Sequence, residues 1–576
     1  MHHLTIIDFK PLKERLIFTD PLLELKTSDL SQVKGILDKA ENYQKQGFYV
    51  VGYLAYEAAK AFDPLFTVHA GPLQTEYLAY FSVHRHPKRV PFPTAYRPVD
   101  MPKTWQSAVS QEAYKKAISQ IKNHLRQGDS YQVNYTIPLS ANLTADALAI
   151  YEQIRLEQDA QYNAYIAHDD QKILSISPEL FFERQGSHLL TRPMKGTIAR
   201  GISDEDDLSR AEWLAQDAKN RAENMMIVDL LRNDMNRISL VGSEKVPHLC
   251  QVEQYATVWQ MTSTITTELR ENTQLATIFS ALFPCGSITG APKIATMAII
   301  HALEPNPRGV YCGTIGVLLP DGNAIFNVAI RTLQVHKQEA IYGVGGGITW
   351  MSDWKSEYQE TKEKAQVLYQ KHPKFDLITT ARLENGQVSF ANDHLKRLKK
   401  ASRYFHYPFD EKQFWQAIAE VQSQTDPHQS YRLRLALSRT GDLQVNTDIL
   451  TPLPETFLQA KLVLQTKDLA NPFTHFKTSY RPHLPKSSHE IIFFDEKGNL
   501  LETTIGNLIV EKDGQKWTPP ADLDILNGIF RQKLVTSGRV KEKYLKIKDL
   551  KDADAIYACN AVRGCYPLTL DLEDET

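Results

Sequence analysis

Apolar positions recur in two rhythms along the chain, short runs of strand length and longer stripes at helical spacing. A helix is expected near Asp29–Gln46, with strands over Phe48–Ala55 and Tyr77–Val83. The proline-rich stretch Pro87–Pro102 reads as a loop. Tyr114, Ile118, Ile121 and Leu125 then repeat at helical spacing, and Gly128 supplies a stop. The pattern continues with a strand over Ser130–Leu143, a helix over Asp146–Gln158, a strand-like run Ile173–Phe182, a short strand His188–Leu190 and one long helix Ser209–Leu231. Helices are expected over Thr273–Phe283 and Pro292–Leu303, strands over Gly309–Leu319, Ala324–Val335 and Glu339–Val344, and a helix over Asp353–His372. Lys371-His372-Pro373-Lys374 breaks this last helix and marks a boundary. The rhythm restarts after it, with a strand Phe375–Arg382, a helix His394–Phe405, a strand Tyr431–Ser438 and strands around Ile491 and Leu508. No internal repeat or low-complexity tract interrupts the pattern.

A chain of 576 residues is long for one core and leaves room for two to four domains at roughly 150 residues each. A formal net charge of -2 and an isoelectric point near 6.8 give no reason to expect nucleic acid or an anionic membrane as partner. Hydrophobic residues at 42% suit a globular protein with substantial cores. The five cysteines are scattered, which argues against a disulfide framework, and Cys559 and Cys565 have no histidine pair beside them to suggest zinc. There is no secretory n-region and no apolar run of membrane-spanning length, so a cytoplasmic enzyme is expected.

Lys195, in Arg192-Pro193-Met194-Lys195-Gly196-Thr197, follows a strand and lies between two breakers. Taken alone it reads as a solvated lysine; it becomes a nucleophile only if burial or a cationic neighbour strips its proton. Glu357 and Glu360, three apart on one helical face, and Glu223 on another helix read alone as solvated glutamates. Together they could offer oxygen ligands of the kind magnesium prefers. The run Gly345-Gly346-Gly347 is either a flexible turn or a source of N–H groups for an anion.

The ordered series Ser177-Pro178-Glu179-Leu180, Arg192–Thr197, Asp229-Leu230-Leu231-Arg232-Asn233-Asp234, Gly290-Ala291-Pro292-Lys293, Ala329-Ile330-Arg331-Thr332 and Gly345-Gly346-Gly347-Ile348 resembles the chorismate-utilising enzymes. That family holds the anthranilate, aminodeoxychorismate, isochorismate and salicylate synthases. The resemblance covers residues 1–370 and implies an α+β fold with an antiparallel β-sheet core and flanking helices. It implies chorismate as substrate, Mg2+ held by Glu223 and Glu360 with Glu357 assisting, and Glu179 as the acid for the departing hydroxyl. It also implies substrate contacts from Gln132, Tyr311 and Arg331 and from the Gly345, Gly346 and Gly347 main chain, with Tyr311 and Arg331 paired on the enolpyruvyl group. Gln132 stands where the water-adding members carry a lysine base, which points to ammonia as nucleophile. Lys195 stands where anthranilate synthases carry alanine and aminodeoxychorismate synthases carry the lysine that attacks C2. The resemblance therefore implies amination at C4. Gln260 departs from the family's usual histidine. No Gly-x-Cys-x-Gly elbow is present, so ammonia is expected from a separate glutamine amidotransferase subunit.

His394-Leu395-Lys396-Arg397-Leu398, Phe476-Lys477-Thr478, Glu502–Leu508 and Leu526-Asn527-Gly528-Ile529-Phe530-Arg531 resemble the fold-type IV pyridoxal-phosphate enzymes, aminodeoxychorismate lyase among them. This second resemblance implies an α/β domain over 375–576 that holds pyridoxal 5'-phosphate. Lys477 would bond the cofactor and move the α-proton, Glu502 would face the ring nitrogen, and Arg397, Gly528 and Ile529 would hold the phosphate. It leaves room for a homodimer through this domain. The stretch from Lys477 to Glu502 is shorter than in relatives, and Ile509 replaces an aromatic. Together the two resemblances imply 4-aminobenzoate synthesis from chorismate on the folate route. The competing expectations are an anthranilate synthase component fused to a transaminase-like domain, and a second domain that serves only as a scaffold.

Overall fold

The computed structural model describes residues 3–70, 77–369, 371–465 and 471–570. The chain forms two compact units, Met1–Ile198 with Ala211–His372, and Ala199–Arg210 with Pro373–Thr576.

The first unit is built on two ten-stranded sheets, and every strand pairing whose register is resolved in them is antiparallel. The first sheet runs from Gly290–Ala291 through Gln132–Asn142, Glu339–Ile348, Thr332–His336, Gln171–Ser177, Tyr162–His168 and His3–Phe9 to Arg15–Phe18 and Lys88–Val90. The second runs from Met194–Ala199 through Val258–Glu268, His188–Arg192, Leu180–Gln185, Ala324–Val328, Thr314–Leu318 and Tyr49–Leu54 to Ala79–His84 and Leu23–Thr27.

The inner faces meet in a cluster of Ile7, Phe9, Phe18 and Ile166 from one sheet with Val51, Tyr53, Ile315 and Val317 from the other. Helices cover the outer faces. Helix Gln111–Gln127 packs through Tyr114, Ile118 and Ile121 against Tyr135 and Ile137. Helices Ala218–Asn236 and Leu275–Leu282 pack through Leu231 and Phe279 against Phe182 and Phe326. Because both faces are covered, strands such as Ala79–His84 and Thr314–Leu318 are buried along their whole length rather than alternating.

Three expectations need correction. The run Ile173–Phe182 is two strands: the chain leaves the first sheet at Ser177 and joins the second at Leu180, with Pro178 and Glu179 at the crossing. Ala324–Val335 is likewise two strands, crossing back through Ala329–Arg331, where Arg331 adopts a left-handed φ of 50°. Each crossing is pinned by the other's neighbour. The N–H of Val328 donates to the Glu179 carbonyl at 3.1 Å, and that of Ile176 to the Arg331 carbonyl at 3.1 Å. Finally, Ser209–Leu231 is not one helix. It divides into Asp204–Gln216 and Ala218–Asn236 at Asp217, whose side chain caps the second by accepting the Asn220 N–H.

The second unit has a four-stranded antiparallel sheet, centred on Leu377–Glu384 and Tyr431–Leu437, under helices Ala391–Phe405 and Glu411–Gln424. Its eight-stranded sheet is mixed, since Gln459–Leu464 lies parallel to both Glu490–Phe494 and Gly564–Leu570. Leu500–Thr503 pairs with Asn507–Lys512 through Glu502 opposite Asn507, which closes six of these strands on themselves. Among the described residues no helix is long and apolar enough to cross a membrane.

Candidate active sites in the two units

The first site assembles where strand ends, a sheet crossing and two helices meet. Gln132 opens its strand and is fully buried, yet neither its Oε1 nor its Nε2 has a hydrogen-bond partner. Two unsatisfied buried polar atoms are costly unless something arrives to pair with them. Across the ladder, Gly347 carries no side chain; a Cβ there would lie 2.5 Å from Gln132 Nε2 and 3.3 Å from Lys195 Nζ. Lys195 Nζ donates to the Ser287 carbonyl at 3.2 Å. Burial lowers its pKa, Lys364 adds to the shift, and Glu179 and Glu223 oppose it.

Glu179, at the sheet crossing, is 3% exposed with Oε1 unpaired. Burial pushes its carboxyl up to about 7, against the opposing pull of the Ser287 hydroxyl, Lys195 and the Met194 N–H. The strand carrying Lys195 is held by Gln260, whose Nε2 donates to the Gly196 carbonyl at 2.8 Å and whose Oε1 accepts the Thr197 hydroxyl at 2.8 Å. The residue that departs from the family's histidine is thus a brace for Lys195's strand. The Asp229–Asp234 and Gly290–Lys293 motifs are joined by a buried ion pair, Lys293 to Asp234 at 2.8 Å.

Gly345, Gly346 and Gly347 are neither a flexible turn nor a nest. They form an extended strand opposite Thr136, Tyr135 and Asn134, and none has a left-handed φ. Their smallness matters instead: above Gly346, a Cβ would sit 3.5 Å from Glu357 Oε2, 3.6 Å from Glu360 Oε1 and 3.5 Å from Lys364 Nζ. Lys364, not singled out from the sequence, pairs with Glu360 at 2.6 Å and donates to the Gly345 carbonyl at 2.6 Å. Burial raises the carboxyls of Glu357 and Glu223, and the charge of Glu360 raises both further.

Glu360 thus acts on both Glu357 and Glu223, while Lys364 and Lys219 offset the carboxylate charge. Among the described residues no group of three or more histidine, cysteine or acidic side chains is placed to hold a metal ion, so Glu223, Glu357 and Glu360 are not brought together as one ligand set. Glu357 and Glu360 converging over Gly346 fit magnesium, which takes one or two carboxylates and completes its shell with water or substrate oxygens. Arg331 lies near Tyr342 and Tyr255, and burial lowers its pKa. No ion pair to Arg331 is found among the described residues, so its charge is available to an anion. Tyr311 is placed differently: its ring lies on Gly343, and it lines a shallow cleft with Glu304, Arg308 and Thr136. No hydrogen bond joins it to Arg331 among the described residues.

In the second unit Lys477, Glu502 and Arg397 face one another, joined by Arg481, which the sequence reading missed. Burial holds the Lys477 ammonium well below its ordinary value, helped by Arg481 and Arg397. Burial pushes Glu502 up to about 8 and lowers Arg397 to about 10. Glu502 Oε1 and Arg481 Nε are buried without partners. A cationic cluster with orphaned polar atoms fits an anionic cofactor such as pyridoxal phosphate. One expectation is corrected: the Gly528 N–H is taken by Asn507 Oδ1 at 3.2 Å, and a Cβ at Gly528 would meet that oxygen at 2.1 Å. Ile529 therefore begins the set of helix N–H groups open to a phosphate, at the start of Ile529–Thr536. His394 Nδ1 is held by the Thr379 hydroxyl at 2.6 Å while its Nε2 is buried without a partner near Arg397 and Lys477, and Ile509 packs in the core with Val540 and Cys559.

Each unit has relatives among known proteins. Residues 7–370 match the family described as chorismate binding enzyme, and residues 376–570 match amino-transferase class IV. Aminodeoxychorismate synthase component 1 of Escherichia coli (strain K12) is 41% identical over 260 residues, 45% of this chain and 57% of that protein. Anthranilate synthase component 1 3 of Haloarcula marismortui is 37% identical over 265 residues, 46% of this chain and 53% of that protein. The chain thus spans a little over half the length of these curated relatives. The crystal structure of anthranilate synthase component I from Streptococcus pneumoniae TIGR4 superposes with a TM-score of 0.55 at 23% identity. The match covers 63% of this chain and 92% of that one, and is a likeness of fold.

Proposed function

The chain belongs to the chorismate binding enzyme family, and from that premise we propose that it makes 4-aminobenzoate in two steps. The first unit would aminate chorismate at C4, and the second would eliminate pyruvate from the product. The observation that carries the first step is the placement of Lys195: an amine with lowered proton affinity, beside the unsatisfied Gln132 amide and the protonatable Glu179.

In this reading Lys195 Nζ attacks ring C2, the double bonds shift, and the C4 hydroxyl leaves as water with the proton of Glu179. Ammonia then adds at C4 and the lysine is expelled from C2, so pyruvate stays on the ring. Glu179 suits its part because at a pKa of about 7 it still holds a proton near neutrality. Arg331 would receive a carboxylate of the substrate, and the missing side chains of Gly346 and Gly347 would leave room for the ring beside Gln132, Lys195, Glu357 and Glu360. Glu357 and Glu360 would hold magnesium, with Glu223 nearby. Bound there, the ion would offset the carboxylate charge and fix the ring's orientation.

In the second unit Arg397 and the N–H groups from Ile529 onward would hold the phosphate of pyridoxal phosphate, and Glu502 would face its ring nitrogen. Bound there, the cofactor would supply the electron sink for the α-carbon. Lys477, its ammonium destabilised by burial and two guanidiniums, would take the α-proton. Cytoplasmic location, a separate glutaminase as ammonia source and a place on the folate route belong to the same proposal. The naming of relatives as component 1 of a synthase supports the second of these.

The test is product identification by chromatography with chorismate, ammonium, magnesium and pyridoxal phosphate. The proposal requires 4-aminobenzoate and pyruvate; 2-aminobenzoate as the amination product would overturn it in favour of anthranilate synthesis.

A further inference from the structure

The register of the last hairpin sets Cys559 directly opposite Cys565. In an antiparallel pair, opposed residues alternate between those that exchange main-chain hydrogen bonds and those that do not, and the second kind brings Cα atoms to about 4.5 Å. Tyr557 stands opposite Pro567. Proline has no N–H to exchange, so that pair is of the close kind. Two residues on, the cysteine pair is of the same kind, with both side chains on one face. That separation lies within the range a disulfide spans, about 4.4–6.8 Å between Cα atoms.

We propose that Cys559 and Cys565 form a reversible dithiol–disulfide site whose reaction partners are small-molecule disulfides of the glutathione class. Cys565 is exposed and Cys559 is fully buried, packed with Ile509 and Val540 beneath Phe530 and Leu534. The two thiols interact. The contact pushes Cys559 up and Cys565 down to about 7, against burial, with Lys516 adding to the fall of Cys565. An attacking thiol reacts best when its pKa lies near ambient pH. Cys565 is thus the attacking group and Cys559 the resolving one.

The Cys565 thiolate attacks one sulfur of the small disulfide, forming a mixed disulfide and releasing one thiolate. Cys559, giving up its proton, displaces the second thiol. The two protein thiols are oxidised by two electrons, and one small disulfide becomes two thiols. The site also sits behind the cofactor cradle. Cys559 pairs with Asn507 along the strands, and the Asn507 side chain holds the Gly528 N–H.

The test uses the full chain in mixtures of oxidised and reduced glutathione, then alkylation and peptide mapping by mass spectrometry. It reads thiols rather than activity, so it stands or falls apart from the proposed reactions. The proposal expects two of the five thiols to become protected, a linked Cys559–Cys565 peptide lighter by two hydrogens, and reversal by dithiothreitol. Cys559→Ser should accumulate glutathione on Cys565, and Cys565→Ser, at an exposed position, should abolish the reaction. Glutathione persisting on wild-type Cys565 without the internal bond, or no loss of thiols, would overturn it.

Discussion

Gly347 faces Gln132 so closely that a Cβ on the glycine would come 2.5 Å from the amide nitrogen, with Lys195 Nζ 3.3 Å away. The neighbouring glycine is tight for another reason, since a Cβ on Gly345 would lie 2.2 Å from the Tyr135 carbonyl. The first clash is with a side chain of the site and the second with the main chain of the sheet. Gly347→Ala should therefore leave the melting temperature nearly unchanged while lowering amination kcat/KM about 100-fold, the scale of a misplaced reacting group. Gly345→Ala should destabilise the fold by about 1–3 kcal/mol in denaturant titration. Equal loss of stability in both would contradict this division.

Glu179 has a pKa raised from 4.5 to about 7. A carboxyl whose folded pKa exceeds its unfolded one leaves the fold unpenalised below 4.5. It costs stability progressively as pH rises to about 7, and by a constant amount above that. Glu179→Gln should thus raise the melting temperature relative to wild type above pH 7, with the gap closing toward pH 4.5, while amination falls roughly 100-fold or more. In wild type, amination should decline as pH rises through about 7. Retained activity in the variant would remove Glu179 as the acid.

The two units can be separated by chemistry. Lys477→Ala should leave chorismate consumption intact, abolish pyruvate release and the visible absorbance that added pyridoxal phosphate gives the wild type, and let an aminated, non-aromatic product accumulate. Pyruvate release at the wild-type rate would favour a second unit that is only a scaffold.

Much of the fold is written in periodicity. Tyr114, Ile118 and Ile121 bury as a helical stripe, and Gly128 ends that helix with φ 82°. The sheet crossings at Glu179 and Arg331 show in the sequence only as breaks, Ser177-Pro178-Glu179 in one run and Arg331 in the other, and a break does not say that the strands on its two sides belong to different sheets. The hairpin Lys245–Gln254 with Val258–Glu268 was missed, although Thr262–Thr267 carries the β-branched residues of a strand. For the candidate site, motif resemblance singled out Gln132, Glu179, Lys195, Glu357 and Glu360, which the fold sets around Gly346 and Gly347 or Lys195. The resemblance did not single out Lys364, whose place over the glycines comes from its bond to the Gly345 carbonyl, or Arg481, whose meaning comes from burial near Lys477 and Glu502.

The central claim is that the Lys195 amine bonds to the substrate ring. The direct measurement is peptide mass spectrometry of enzyme quenched after mixing with chorismate and magnesium but no ammonia. The account predicts a ring adduct on the peptide bearing Lys195, lost on adding ammonium and absent from Lys195→Ala. An unmodified Lys195 in an enzyme that still yields the 4-amino product when ammonium is supplied would contradict it.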